Sequence, residues 1–221
     1  RNEVLVYTGA LSNMMVFKRS RNKSDIEKEY EVTKAMFEHL GNLVAQPIEY
    51  TQEMQSDGYF YLATRNRGGR TLLDLALTDA LSPQTLDSML YILSTIVSAG
   101  NELREQGKIS VSDVVSINPN YFSDRATTLI SKVDFVSSPN KLMQALADGY
   151  ESMNNRLVGI KREFYSDRNL RNIAVTTGHM MVAIDWENPR LLPVYQELVN
   201  MFEFYNYFVS DRNREAVFKK F

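Results

Sequence analysis

Hydrophobic positions change their spacing along this chain, and the changes divide it into elements. In "NEVLVYTGALSNMMVFKRS", Val, Tyr, Met and Phe flank a Gly/Ser/Asn cluster, which predicts two strands around a turn at 8–13. In "SDIEKEYEVTKAMFEHLGN", Ile26, Tyr30, Thr33 and Phe37 recur at helical spacing. Ser24 or Asp25 is placed to cap the start of that helix, and Gly41 to end it. "LVAQPIEYTQ" and "GYFYLATRN" read as strands separated by the turn "MQSDG". A β-β-α-β-β unit is therefore expected over residues 1–66.

"RNRGGR" at 65–70 breaks the pattern with two glycines, and helical spacing follows. "TLLDLALTDAL" is expected to be helical, and so is "SPQTLDSMLYILSTIVSAGNELREQ". In the second, Pro83 suits a first turn and Leu86, Leu90, Leu93 and Val97 form an apolar stripe. Further helical pieces, interrupted by "SSPN", are expected over 119–162. A small hairpin in "FYSDRNLRNIAVTTGHMMVAIDWENP" comes next, and "LLPVYQELVNMFEFYNYFV" reads as a closing aromatic-rich helix. The fold class is α+β: a small antiparallel-sheet lobe (1–66), then a larger, mainly helical lobe (67–221) with a hairpin over 164–187.

Composition narrows the function classes. With 221 residues the chain can bury a sizeable core. A formal charge of −2 gives no overall positive field for nucleic acid or an anionic membrane. The basic run "KRSRNK" reads as a solvated turn. No apolar run reaches the roughly 18 residues of a bilayer span, so neither nucleic acid nor membrane is expected as a partner. The absence of cysteine excludes disulfides and thiolate metal sites and fits a reducing, cytoplasmic setting. The chain begins with Arg1, so an upstream segment is expected. The aromatics from Phe202 to Phe208 read as core or subunit-interface positions, which would permit a homo-oligomer.

The hairpin carries the candidate chemistry. Asp167 precedes Asn172 by five residues, and Asp185 follows a second apolar run 13 residues after Asn172. Neither His39 nor His179 has a partner at metal-ligand or triad spacing; His39 reads as a helix-end residue and His179 as a turn residue. Trp186 reads as core.

In order along the chain, "VFKR", "IEKEYEVTKAMFEHL", "YFYLATRNRGGRTLLDLA", "SDRNLRNIAV" and "VAIDWE" resemble the protein-kinase-like superfamily, nearest its aminoglycoside phosphotransferase and choline kinase branch. The resemblance implies an ATP- and Mg²⁺-dependent phosphotransferase acting on a hydroxyl of a small molecule or a protein. Phosphoryl transfer asks a protein mainly for charge neutralisation and positioning. Asp167 would orient the acceptor hydroxyl. Asn172 and Asp185 would hold Mg²⁺ through hard oxygens. Lys18 would sit on the phosphates with Glu29 fixing its ammonium, and the strap residues Arg65, Asn66 and Arg67 would bind adenine through backbone groups. Glu27 and Glu31 are close rivals of Glu29, which is preferred because it lies beside Tyr30 at the apolar edge of the helix.

Three features depart from the family pattern. Tyr165 stands where the family usually has His, "TGALSN" has one glycine instead of a Gly-rich phosphate loop, and no activation-segment signature follows Asp185. The alternatives are a pseudokinase-like binding or scaffolding protein, a protein Ser/Thr kinase, or an unrelated α+β interaction protein. Acceptor determinants are expected in 105–165 and in the C-terminal helix.

Overall fold

The computed structural model describes residues 3–7, 15–65, 69–78, 80, 83–113, 161–176, 180–186 and 189–193, with helical positions at 141, 144, 145, 148, 149 and 152. Strands β1 (Glu3–Tyr7) and β2 (Met15–Ser20) form the expected antiparallel pair. With β3 (Pro47–Tyr50) and β4 (Phe60–Arg65) they make a four-stranded antiparallel sheet in the order β1-β2-β4-β3. The register sets Val16 opposite Thr64 and Lys18 opposite Leu62. Because side chains alternate between faces, these four lie on one side of the sheet.

Helix α1 (Lys23–Leu40) crosses beside that sheet. Its cap is Asn22, whose side chain accepts from the Ser24 N–H, not Ser24 or Asp25 as the sequence suggested. Asn22 also donates to Asp25, so the expected cap residue serves as the partner of the actual one. Gly41 ends the helix at φ 57°, a left-handed conformation that glycine adopts without strain. The buried face is Ile26, Glu29, Val32, Thr33 and Met36, so Tyr30 and Phe37 lie at its edge. An acid inside this face rotates the stripe away from the purely apolar spacing.

After the strap, the two-residue β5 (Arg70–Thr71) leads into α2 (Leu72–Leu77). Thr71 and Asp74 form a reciprocal capping box at its start. Helix α3 (Pro83–Glu105) buries Met89, Ile92, Leu93, Ile96, Ala99 and Leu103. The expected stripe is thus out of phase: Leu93 is buried, whereas Leu90 and Val97 are only half-buried. "MLYILSTIV" is apolar almost all round, so spacing alone does not fix which side faces the core.

Two small sheets follow. Strand β8 (Ile173–Val175) pairs with β9 (Met181–Ala183) as the expected hairpin, and β5 joins its other edge. The other sheet has the order β6 (Ser112–Asp113), β10 (Arg190–Pro193), β7 (Arg162–Tyr165). Its members correct one expectation: residues 191–193 are strand where a helix was read. Strand β7 is a further strand that the sequence reading did not single out. The rest of the proposed closing helix, including Phe202 to Phe208, lies outside the described residues, as does most of 114–160.

One apolar core connects these parts. Val32 and Met36 of α1, Leu72 of α2, the α3 stripe, Phe164, Leu170, Ile173, Ala183 and Trp186 form a continuous cluster. A parallel bridge between Val44 and Ala183, with the Ala45 N–H donating to Ala183 O at 3.0 Å, ties the first sheet's flank to the hairpin. The loops on either side of the hairpin are therefore backed by packed side chains from both regions. Among the described residues, no helix is long and apolar enough to cross a membrane.

Candidate functional site

Lys18 lies on the inner face of β2 and is 7 % exposed. Its Nζ is 2.8 Å from Glu29 Oε2 and 2.6 Å from Asp185 Oδ1. Residues remote in sequence are thus joined at one ammonium. The second Glu29 oxygen accepts the Trp186 backbone N–H at 3.3 Å. Of the three acids on α1, Glu29 is buried and pairs with Lys18, whereas Glu27 accepts from the Tyr50 hydroxyl and Glu31 is exposed. The two acids beside this buried side chain replace the water it has lost.

Below it, β7 ends in a tight loop, 166–172, that leads into β8. Asp167 has φ 56° and Asp185 φ 63°, and they are the non-glycine residues with positive φ among the described residues. Asp tolerates this left-handed region better than most side chains, yet it remains an uncommon state that surrounding structure must hold. The loop's hydrogen bonds supply that hold. Asp167 O accepts from the Asn169 N–H at 2.9 Å and from Asn172 Nδ2 at 2.8 Å. Asn169 Oδ1 accepts the Arg171 N–H at 2.9 Å, and the Ile184 N–H donates to Asn172 O at 3.0 Å.

Arg168 fastens the two acid-bearing loops together, and sequence reasoning missed it. Fully buried, it donates to Ser166 O at 2.7 Å through Nη2 and to Ser166 Oγ at 2.9 Å through Nε. The same guanidinium donates to the carbonyls of Ile184 and Asp185 and lies 4.2 Å from the Trp186 ring centroid. Trp186 is core, as expected, and is also the platform on which Arg168 rests. An arginine inside "SDRNLRN" gives no periodic signal; its adjacency to Asp167 was the available clue.

Four of the candidate residues meet at a cavity of about 390 Å³. Lys18, Glu29, Asn172 and Asp185 line it, together with Arg171, and Val16, Leu62 and Ile184 supply apolar walls. A second hollow of about 280 Å³, on α1 against Ile109–Ser112 and Pro189, shares Glu29 but none of the other candidates. Asp167 is exposed on the same loop as Asn172 and accepts the Tyr165 hydroxyl at 3.1 Å. Arg65 stands at the end of β4, with its N–H already donated to Gln46 O at 2.8 Å, so it can offer a base its carbonyl but not that amide. Asn66 and Arg67 lie outside the described residues, as does His179. His39 is in the last turn of α1, with Nε2 3.5 Å from Glu102 Oε2.

The donor chemistry suits a hard cation. Asn172 uses its amide nitrogen on Asp167 O, which leaves Oδ1 without a hydrogen bond among the described residues. Asp185 engages Lys18 through Oδ1 and keeps Oδ2 without one. One carboxylate and one amide oxygen fit Mg²⁺ completed by phosphate oxygens and water better than an all-protein cage. No group of three or more His, Cys, Asp or Glu side chains suited to a metal occurs among the described residues.

No protein-family model and no curated protein matches the sequence. Solved structures do match the fold. A thermostable mutant of aminoglycoside phosphotransferase APH(4)-Ia, in ternary complex with ADP and hygromycin B, aligns with 99% of this chain and 74% of its own, at TM-score 0.64 and 14% identity. Choline kinase LicA from Streptococcus pneumoniae aligns with 97% of this chain and 72% of its own, at TM-score 0.54 and 14% identity. The GDP complex of wild-type aminoglycoside 2'-phosphotransferase-IIIa covers 91% and 72% of the two chains, at TM-score 0.54 and 14% identity. The chain has a two-lobed, kinase-like α+β fold similar to these structures.

Proposed function

We propose that this kinase-like chain is an ATP- and Mg²⁺-dependent phosphotransferase whose acceptor is a hydroxyl group on a small molecule. The observation that carries the reading is the convergence of Lys18, Glu29, Asn172 and Asp185 on one cavity, with Asp167 on the adjoining loop. ATP would lie between a sheet lobe of residues 1–66 and a helical lobe of 67–221, its base toward the strap at 65–67. Lys18 would bind phosphate oxygens, and Glu29 would hold its ammonium in place. Asn172 and Asp185 would hold the metal. When bound, Mg²⁺ would neutralise charge on the phosphates.

Asp167 would accept a hydrogen bond from the acceptor hydroxyl and aim its oxygen at the terminal phosphorus. The new O–P bond forms as the bond to the ADP oxygen breaks, and the hydroxyl proton passes to Asp167 late in the step. A chain without cysteine suits the reducing cytoplasm, where ATP is abundant. The names of the fold neighbours favour a small-molecule acceptor over a protein one.

The test is Asp167→Ala. ATP binding should stay near wild type, while phosphoryl transfer falls by roughly two to four orders of magnitude. A wild-type chain that binds ATP but turns over no faster than this variant, across a panel of alcohols, aminoglycosides and proteins, fits a non-catalytic binding module instead. The single glycine in "TGALSN" and Tyr165 in place of the family's His are what favour that second reading.

A further inference from the structure

We infer that Arg171 anchors the terminal phosphates of the nucleotide, an assignment that rests on the nucleotide reading above. It supplies a contact that a chain with one glycine in its first turn would otherwise lack.

Three observations support it. Arg171 lines the same cavity as Lys18, Asn172 and Asp185. Its guanidinium has no ion pair or hydrogen bond among the described residues, in contrast to the other cations nearby: Lys18 is held by Glu29 and Asp185, and Arg168 is engaged with carbonyls. Its backbone is nevertheless fixed, since the Arg171 N–H donates to Asn169 Oδ1 at 2.9 Å and the next N–H to Asn169 O at 3.0 Å. An exposed, uncommitted fork therefore projects from an immobilised base beside the proposed metal ligand Asn172.

Charge points the same way. The ionised side chains lining the cavity are Lys18, Arg171, Glu29 and Asp185, two of each sign. Without Arg171 the lining would be net negative, and Lys18 is already shared between two carboxylates. A triphosphate would meet repulsion there. Arg171 restores the balance, and a planar guanidinium pairs with phosphate oxygens in a bidentate geometry that lysine cannot match. An arginine with no ligand would also be exposed and unpaired, so the deciding measurement must separate phosphate binding from simple solvation.

The probes are MgATP and adenosine, titrated calorimetrically against wild type, Arg171→Gln and Arg171→Lys at low and moderate salt. Arg171→Gln should weaken MgATP by about 10- to 100-fold, the range of a charge-assisted contact. Adenosine affinity should be unchanged, Arg171→Lys should fall between, and the salt sensitivity of MgATP binding should drop. The melting temperature should not move, because the side chain is exposed and unpartnered. Equal MgATP affinity in wild type and Arg171→Gln would overturn the assignment, as would a matching loss for adenosine or an effect confined to the acceptor KM. Wild-type protein that binds neither probe would overturn the nucleotide reading itself, a result distinct from the loss of one contact.

Discussion

The hydroxyl of Tyr165 donates to Oδ1 of Asp167 at 3.1 Å across the end of β7. Tyr165 occupies the place where the resembling family usually carries His, and here its ring brings a hydroxyl donor onto the acid. Asp167 stands in the left-handed region at φ 56° with its side chain exposed, and this bond limits the directions its carboxylate can take. Under the proposed function, Tyr165 would be a positioning residue for Asp167.

Tyr165→Phe removes the donor and keeps the ring. Turnover should fall by roughly 10-fold, the kinetic equivalent of about 1.4 kcal/mol lost at one hydrogen bond. MgATP affinity and melting temperature should stay near wild type. Steady-state kinetics checks this: a rise in the nucleotide KM at constant kcat would show that Tyr165 serves the cleft and not the acid.

Asp185→Asn should abolish the metal-dependent part of stabilisation by ATP. Binding to the native state at 100 times Kd adds about 2.7 kcal/mol, which a thermal-shift assay resolves easily. Lys18 also pairs with Glu29 at 2.8 Å, a contact this variant leaves untouched, so the protein itself should remain folded. A full Mg²⁺-dependent shift in Asp185→Asn would remove Asp185 from the metal site.

Gly100→Ala should destabilise the platform under the acid loop. A Cβ at Gly100 would overlap the Phe164 ring, and the Phe164 N–H donates to Asn101 Oδ1 at 2.9 Å just beside it. Overpacking of this kind costs about 1–3 kcal/mol. Calorimetry should show a lower melting temperature together with weaker turnover, because β7 carries Tyr165 and Asp167. An unchanged melting temperature would show that Phe164 rotates aside freely.

The start of α2 should lose stability in acid. The Thr71 hydroxyl and then the Thr71 N–H hold the Asp74 carboxyl below its ordinary range. A depressed folded value means the contribution is present above the unfolded pKa of about 3.9 and is lost as pH falls through the lower folded value. Thr71→Ala should cost about 1 kcal/mol at neutral pH, as cap losses do, and less near pH 2. Urea denaturation at both values would detect the difference; an equal loss at both would mean that the carboxylate contributes nothing.

Much of this organisation could be read from residue spacing. Strands β1 to β4 and helix α1 follow local alternation, helical spacing and Gly41, so short windows suffice for them. Asp167, Asn172 and Asp185 stand out because polar residues bracket an apolar hairpin. The phase of α3 was not readable, since Leu90 and Met89 are equally apolar and the partner surface makes the choice. The sheet formed by β6, β10 and β7 was missed for a different reason. Its pairings join Ser112 to Arg190 and Tyr165 to Arg190, contacts that no local window contains. Arg168 escaped because burial of its charge depends on carbonyls supplied by Ile184 and Asp185, far along the chain.

That buried arginine makes the site a single moving part. Opening either acid-bearing loop would strip hydrogen bonds from a guanidinium that is fully buried in the closed arrangement. Loops 166–172 and 184–186 should therefore unfasten together, with amide protons exchanging at a common rate instead of fraying one by one. A ligand that grips Asp185 would, through the same rivet, stiffen Asp167 as well.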